Sequence, residues 1–157
     1  MSFSVQDTTE GADFVLVMSG GLDEDASFAG LAALESGPVV LDLSGINAIN
    51  SVGIREWIKW VKEIPSTVQL RLRNCPKIIV DQINMIAGFL PPKTVIESFF
   101  VPYFAEESGA EKMILFRNGV EFGEGQVKGP GPIQDDSGEP MEMDVIAAKY
   151  FKFLKND

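Results

Sequence analysis

The sequence contains no histidine, and this absence excludes a large class of catalytic sites. Without histidine there is no Ser-His or Cys-His nucleophile pair and no histidine-based zinc site. Catalysis would have to use carboxylates, lysine or tyrosine, and the spacing of these residues shows no pattern typical of a catalytic site. We therefore expect a protein that is not an enzyme and carries no cofactor.

Cysteine and long apolar runs are also scarce. The single cysteine, Cys75, excludes an intramolecular disulfide and is typical of a reducing compartment. No apolar run approaches the roughly 20 residues of a membrane-spanning helix, and the first residues lack the basic start and apolar stretch of a signal peptide. We expect a cytoplasmic protein of bacterial type that is not inserted in a membrane.

Basic side chains are outnumbered, with 13 Lys and Arg against 23 Asp and Glu and a net charge of −10. An acidic surface repels nucleic acid, because phosphate binding depends on clustered Lys and Arg. It favours a basic protein partner, and solubility alone explains the charge equally well. The 157 residues suit one domain with a small appendage.

Apolar periodicity predicts an α/β domain over residues 1–100, with a small sheet and helices packed on it. Two strands flank a turn at residues 10–12, and later apolar or alternating runs predict further strands. A helix is expected after Asp23 or Asp25, with Phe28 and Leu34 on its apolar face. The remaining predicted elements are strands at 39–43 and 68–74, a helix at 51–65 with its apolar stripe at Ile54, Trp57, Ile58 and Val61, a helix from Pro76 to Gly88, and a β-rich stretch at 94–104.

Residues 101–157 have a different composition and are predicted to form a second, smaller domain. Asn118-Gly119 lies between apolar runs and indicates a β-hairpin. An acidic Gly/Pro-rich loop follows, and the last residues predict an amphipathic helix. The expected organisation is therefore an α/β domain followed by a hairpin domain that ends in a helix.

Two motifs are similar to those of STAS domains, the fold of bacterial anti-sigma factor antagonists. The segment VVLDLSGINAINSVGIREW resembles the family's strand–Asp-Leu-Ser-Gly–loop–Asp-Ser-x-Gly–helix segment. The stretch GGLDEDA resembles the Gly-x-Leu-Asp turn that precedes the family's first helix. The predicted element order also matches over about residues 3–100. The resemblance implies a signalling module that acts through protein–protein interaction.

The resemblance also implies a phosphorylation site at Ser51. In the family, a partner kinase phosphorylates the serine of Asp-Ser-x-Gly, which toggles binding to that kinase. The matching serine here is Ser51, and Asn50 stands where the family usually has an acidic residue. A helix N-terminus favours negative charge, and Arg55 lies one turn further on. The simpler interpretation is that Ser51 or Asn50 caps a helix and Gly53 permits close packing.

The expected partner-binding surface combines this helix start with the neighbouring Gly-x-Leu-Asp turn. Its residues are Gly21, Leu22, Asp23, Asp25, Asn50, Ser51, Gly53, Ile54 and Arg55. The expected partner is an anti-sigma factor or serine kinase, or a multiprotein complex. The alternative is a constitutive structural or adaptor subunit that has no phospho-switch and assembles through its acidic surface and tail helix.

Two short segments of the tail, AEESG at 105–109 and QDDSG at 134–138, share the spacing x-x-x-Ser-Gly. In a zinc ribbon each knuckle reads Cys-x-x-Cys-Gly. The tail therefore resembles a degenerate zinc ribbon, and PMEMD resembles the segment after the second knuckle in some bacterial ribbons. The four ligands would have become Ala105, Ser108, Gln134 and Ser137. Neutral Ser and Gln replace thiolates poorly, so we expect no metal. The alternative is two coincidental Ser-Gly turns.

A ribbon without its metal loses a large part of its folding free energy. Another interaction has to replace that contribution. We expect the aromatic stretch at 99–104 and the helix at 150–154 to pack on the α/β domain or on a partner.

Overall fold

The computed structural model describes residues 3–28 and 34–155, which form a mixed α/β fold. The strands are β1 (Ser4–Glu10), β2 (Asp13–Leu22), β3 (Gly37–Ile49), β4 (Val68–Arg73), β5 (Val95–Ile96), β6 (Ser98–Phe104), β7 (Glu111–Arg117), β8 (Phe122–Gly123), β9 (Gln126–Val127), β10 (Ile133–Gln134) and β11 (Pro140–Met143). The helices are α1 (Ser51–Lys62), α2 (Lys77–Met85) and α3 (Ala147–Tyr150), and a 3₁₀ turn follows at Lys152–Lys155. In the described part of the chain, no helix is long and apolar enough to cross a membrane.

The larger sheet has five strands in the order β1-β2-β3-β4-β5. Strands β1 and β2 form an antiparallel hairpin, whereas β2, β3, β4 and β5 are parallel neighbours. Parallel neighbours need a crossover connection. Helix α1 connects β3 to β4, and α2 connects β4 to the short edge strand β5. The predicted α/β character of this part of the chain is confirmed.

Helix α1 packs its predicted apolar stripe on the sheet. Trp57 and Val61 are buried, and Ile54 and Ile58 are half-buried. The Trp57 indole N–H donates a 2.7 Å hydrogen bond to the main-chain oxygen of Phe89, so the polar atom of this fully buried side chain is satisfied. Trp57, Val61 and Phe89 belong to one continuous core, against which Ile58 packs, and this core also contains buried side chains of β2, β3, β4 and α2.

The second sheet has the order β10-β11-β6-β7, and its strand β6 begins at Ser98, shortly after β5 of the first sheet ends at Ile96. Strand β6 spans residue 100 and therefore crosses the expected boundary between the two domains. The start of β6 is bonded to the chain before α2, because the Phe100 N–H donates to the Cys75 oxygen at 2.9 Å and the Cys75 N–H donates to the Ser98 oxygen at 3.2 Å. The same hydrophobic core extends through both sheets.

The C-terminal segment packs on α2 through Asn84. Its side-chain amide donates to the Tyr150 oxygen at 2.9 Å and accepts from the Phe153 N–H at 2.9 Å. The Phe153 ring also lies edge-on to Phe99, with 5.1 Å between ring centroids. The aromatic stretch and the C-terminal segment thus pack on the α/β part of the chain, which is the first of the two arrangements expected above, the other being packing on a partner.

Three local predictions differ from the structure. The hairpin predicted at Asn118-Gly119 is wrong, because β7 ends at Arg117 and the chain turns back tightly, with the Glu121 carboxylate accepting the Arg117 N–H at 2.8 Å. The hairpin that includes β7 instead turns at residues 105–110, between β6 and β7.

The other two differences concern helices. The C-terminal helix is shorter than predicted, since α3 covers one turn and is followed by the 3₁₀ turn. Residues 23–28 are not helical. The rest of the helix predicted after Asp23, residues 29–33, lies outside the described residues.

Candidate functional site

Helix α1 begins at Ser51 and is capped by Asn50. The Asn50 backbone is extended, with φ −129° and ψ 178°, and its Oδ1 accepts a 2.9 Å hydrogen bond from the Gly53 N–H. An oxygen in this position satisfies one of the free N–H groups of the first turn. The capping interpretation of this motif is therefore confirmed for Asn50.

Asn50 also ties the helix to the acidic turn, which we define as residues 23–25. The Asn50 N–H donates to the Leu22 oxygen at 3.0 Å, and its Nδ2 donates to Glu24 Oε2 at 2.8 Å. The second bond lowers the pKa of the Glu24 carboxyl. The side chain of an aspartate at position 50 has no N–H group to donate and would place a like charge against Glu24. The asparagine at position 50 thus has a local physical role.

The two glycines of this region allow the backbones to approach closely. A Cβ atom on Gly53 would lie 1.7 Å from the main-chain oxygen of Leu22. A Cβ atom on Gly21 would lie 3.1 Å from Asp23 Oδ2. No side chain fits at position 53 without moving the helix away from the end of β2.

The acidic turn is itself held by Asp23. The Asp23 Oδ1 accepts the Asp25 N–H at 2.9 Å, and its main-chain oxygen accepts the Ala26 N–H at 3.0 Å. This side-chain turn is a common way in which aspartate fixes a short loop. As a result, the Glu24 and Asp25 side chains are exposed beside the start of α1.

The structure brings the nine predicted contact residues together but divides them by exposure. Asp25, Asn50, Ser51 and Arg55 are exposed, Asp23 and Ile54 are half-buried, and Gly21, Leu22 and Gly53 are buried. Leu22 is 0 % exposed and lies in the core, so it offers no side chain to a partner. The three buried residues hold the neighbouring segments in position, but they are not exposed for contact with a partner.

Two exposed residues of this surface were not among the predicted contacts. Glu24 lies between the two predicted aspartates and bonds to Asn50, and Val52 is 37 % exposed. The only feature of the sequence that pointed to Val52 was its place as the variable residue of the Ser-x-Gly motif. Within the described residues, the Ser51 hydroxyl makes no hydrogen bond and Arg55 makes no ion pair. Both side chains are therefore open to new interactions.

The Asp-Leu-Ser-Gly motif of β3 has a structural role in this fold. Asp42 Oδ1 accepts from the Ser44 N–H and hydroxyl at 3.1 and 2.8 Å, and Oδ2 accepts from Arg73 Nε and Asn74 Nδ2, both at 3.0 Å. Burial raises the pKa of Asp42, but these hydrogen bonds outweigh it and the net pKa is lowered. The carboxylate thereby joins β3 to the end of β4.

The two polar turns of the tail lie next to each other. The first turn (residues 105–109) connects β6 to β7, and the second turn (residues 134–138) connects β10 to β11. Strands β6 and β11 are antiparallel neighbours, with Phe104 opposite Glu142. Because each turn adjoins one of these paired strands, the sheet itself brings the turns together.

Asp135 joins the two turns, although it was not among the predicted site residues. Its side chain is buried, and the Ser108 hydroxyl of the first turn donates to Oδ2. Its Oδ1 accepts from the Ser137 hydroxyl at 2.7 Å, the Ser137 N–H at 2.9 Å and the Glu139 N–H at 2.8 Å. These bonds, with that from Ser108 the strongest, lower the pKa of Asp135 to about 2. Only the pattern Asp-x-Ser, typical of side-chain turns, marked this residue in the sequence.

The four positions that resemble zinc ligands do not fit a zinc ion. Ala105 has no donor atom and is fully buried, and the hydroxyls of Ser108 and Ser137 are both bonded to Asp135. Gln134 is exposed, and its main-chain oxygen accepts from Lys112 at 3.1 Å. Structural zinc requires thiolate or imidazole ligands. In the ranges 3–28 and 34–155, no cluster of acidic or cysteine side chains is arranged to hold a metal ion.

Comparison of the sequence with protein-family models gives no match, and comparison with curated proteins gives none. The functional assignment therefore depends on the α1 start and on the two turns of the tail.

Proposed function

We propose that the protein is a non-enzymatic, STAS-type interaction module whose contact surface is the start of α1 together with the acidic turn, and that phosphorylation of Ser51 switches this surface. The observation that carries the proposal is the double role of Asn50. It caps the helix at Gly53 and binds Glu24 of the turn, so that exposed Ser51 lies next to a fixed contact between two segments. A modification of Ser51 acts directly on that contact.

The arrangement of the larger sheet supports the proposal. An antiparallel pair is followed by parallel strands, α1 and α2 form the crossovers from β3 to β4 and from β4 to β5, and both helices contribute to one core. This part of the element order agrees with the STAS resemblance, whereas the helix expected between β2 and β3 is not formed by residues 23–28. The Gly-x-Leu-Asp and Ser-x-Gly motifs, which are distant in sequence, meet at Asn50 and Gly53.

A phosphoryl group on Ser51 would act through charge. It adds nearly two negative charges at pH 7 and lies at the helix N-terminus, where free N–H groups stabilise it. The carboxylates of Glu24 and Asp25 lie on the adjacent turn and repel it. The modification therefore weakens the bond between Asn50 and Glu24 and displaces the acidic turn. Arg55, one helical turn further on, supplies the nearest countercharge on the helix.

The chemistry of the unmodified surface indicates the kind of partner. Exposed Glu24 and Asp25 attract a basic segment, and exposed Val52 offers an apolar contact. A partner with Lys or Arg around an apolar residue complements this surface. Phosphorylation changes both its charge and its shape.

The second candidate function is a constitutive structural or adaptor subunit. One observation favours it, because Glu24 already places a carboxylate beside the phosphorylation site and Asn50 already completes the cap. A phosphate in this position has to overcome a like charge. In this alternative the same surface binds a partner permanently, and Ser51 remains a hydroxyl.

Co-purification of the full-length chain from its host distinguishes these functions. Wild type, Ser51→Ala and Ser51→Asp are compared, with Ser66→Ala as the control for an exposed serine outside the surface. The switch predicts a stoichiometric partner that remains with Ser51→Ala and Ser66→Ala and is reduced with Ser51→Asp. Equal retention by all four proteins favours the constitutive subunit. Absence of any stoichiometric partner contradicts both functions.

A further inference from the structure

The two tail turns are joined by a carboxylate at the position where a ribbon is joined by a metal. Ser108 and Asp135 are 27 residues apart in sequence, yet the Ser108 hydroxyl is bonded to the Asp135 carboxylate. Strand β7 also contacts the second turn through Lys112, whose Nζ lies 3.4 Å from Asp136 Oδ1 and 3.1 Å from the Gln134 oxygen. Asp136 is fully exposed, whereas Asp135 is buried.

We infer that the ionised Asp135 carboxylate, with Ser108 and Ser137, forms a metal-free clasp that holds the second turn and strand β11 against the β6–β7 hairpin. The term carboxylate clasp is used below for these three residues. The clasp is separate from the proposed switch at Ser51.

The geometry of the clasp reverses the electrostatics of a zinc knuckle. In a ribbon, a central cation attracts four anionic ligands that arrive in pairs from two turns. Here the central group is an anion, and the turns supply neutral donors. The carboxylate accepts all four donors that surround Asp135, three at Oδ1 and one at Oδ2. Hydrogen bonds to an ionised acceptor are stronger than neutral ones.

Position 105 completes the comparison. A ribbon would place a thiolate there, but Ala105 is fully buried and belongs to the hydrophobic core. Its main chain still closes the first turn, because its N–H donates to Ala110 at 2.9 Å and its oxygen accepts the Gly109 N–H at 2.8 Å. The knuckle-like backbone is kept while the ligand position has become part of the core.

The clasp makes the two turns depend on each other. Loss of a donor in the first turn removes one of the bonds that orient Asp135, and the carboxylate in turn orients the Ser137 and Glu139 N–H groups. A change at Ser108 should therefore loosen amides in the second turn. Side chains that only solvate a surface do not produce such coupling.

Amide hydrogen exchange of the full-length chain tests the clasp. The variants are Ser108→Ala, Asp135→Asn and their combination, with Asp136→Asn as the matched control because it removes the same charge one residue away. We expect Ser108→Ala to accelerate exchange at Ser137 and Glu139, and Asp135→Asn to do so more strongly. The combined variant should exchange no faster than Asp135→Asn alone, and Asp136→Asn, which breaks only the ion pair of this fully exposed carboxylate with Lys112, should have at most a small effect.

Three results would overturn the inference. The first is unchanged exchange at Ser137 and Glu139 in Ser108→Ala, which is a mild substitution that keeps the charge and so is informative even if Asp135→Asn does not fold. The second is equal acceleration by Asp136→Asn and Asp135→Asn. The third is one zinc ion per wild-type chain together with faster exchange of these amides after chelation.

Discussion

Gly53 of helix α1 lies directly against the main chain of Leu22, so closely that a Cβ atom at position 53 would be 1.7 Å from the Leu22 oxygen. The contact fixes the distance between the helix start and the end of β2. The positions of exposed Ser51 and of the acidic turn both depend on it. The proposed contact surface is therefore built on a buried glycine.

Replacing Gly53 with alanine should destabilise the protein. The methyl group can be accommodated only by shifting α1 or the Leu22 backbone, and overpacking of this kind costs about 1–3 kcal/mol or more. Urea unfolding of Gly53→Ala measures the change. Gly123→Ala is the control, because the nearest atom to its Cβ would be 3.6 Å away and its backbone is not left-handed. Equal effects of the two substitutions would contradict the close contact.

Replacing Asn50 with aspartate should have an effect whose sign depends on Glu24. Aspartate is a good N-cap and its charge is favourable at a helix N-terminus, but here it loses the amide donor and faces the Glu24 carboxylate. We expect Asn50→Asp to lower the free energy of unfolding in wild type and to be less harmful or stabilising in the Glu24→Gln background. Thermal unfolding of the four proteins measures this. Additive effects would show that the two side chains do not interact.

Local periodicity was sufficient to predict much of the α/β part. The stripe from Ile54 to Val61 predicts α1 because an amphipathic helix buries one face, and in the structure Trp57 and Val61 of this stripe are buried while Ile54 and Ile58 are half-buried. The Asn118-Gly119 hairpin failed for a tertiary reason. Turn propensity at these residues was real, but the Asn118 N–H donates to the Glu97 oxygen at 2.8 Å and its side-chain amide donates to the Ile96 oxygen at 3.1 Å, so residue 118 bonds to the chain at the end of β5.

Prediction of the candidate sites was limited in the same way, because local motifs do not reveal long-range contacts. Sequence motifs located Asn50, Ser51 and Gly53, since helix starts carry local signals. Glu24 and Asp135 escaped prediction because their significance comes from partners 26 and 27 residues away. Contacts across such separations produce no periodic pattern in the sequence. The spacing of the Ser-Gly turns nevertheless indicated the right pair of segments.

The tail should loosen when Asn84 is replaced by alanine. This side chain provides both a donor to Tyr150 and an acceptor for Phe153, and loss of such a partly buried pair costs about 1–3 kcal/mol. Limited proteolysis should then cleave the segment around α3 faster than in wild type. The control is Gln82→Ala on the same helix. Wild-type resistance of Asn84→Ala would contradict the role of Asn84 in docking.

Acid should selectively weaken the carboxylate clasp. The pKa of Asp135 is about 2 in the folded protein, below the value of about 3.9 for an unfolded chain. Its stabilising effect is therefore fully present above about pH 4 and is lost as the pH falls towards 2. The difference in unfolding free energy between wild type and Asp135→Asn should be constant near neutral pH and shrink over this interval. A difference that does not change between pH 5 and pH 2 would contradict the ionised clasp.

Peptide mapping by mass spectrometry of the full-length chain, purified from its host, tests the proposed switch most directly. The account predicts that a fraction of the peptide containing Ser51 carries one phosphoryl group, located on Ser51, and that the modified peptide disappears in Ser51→Ala. The contradicting result is an unmodified Ser51 peptide under every growth condition, with complete recovery of that peptide.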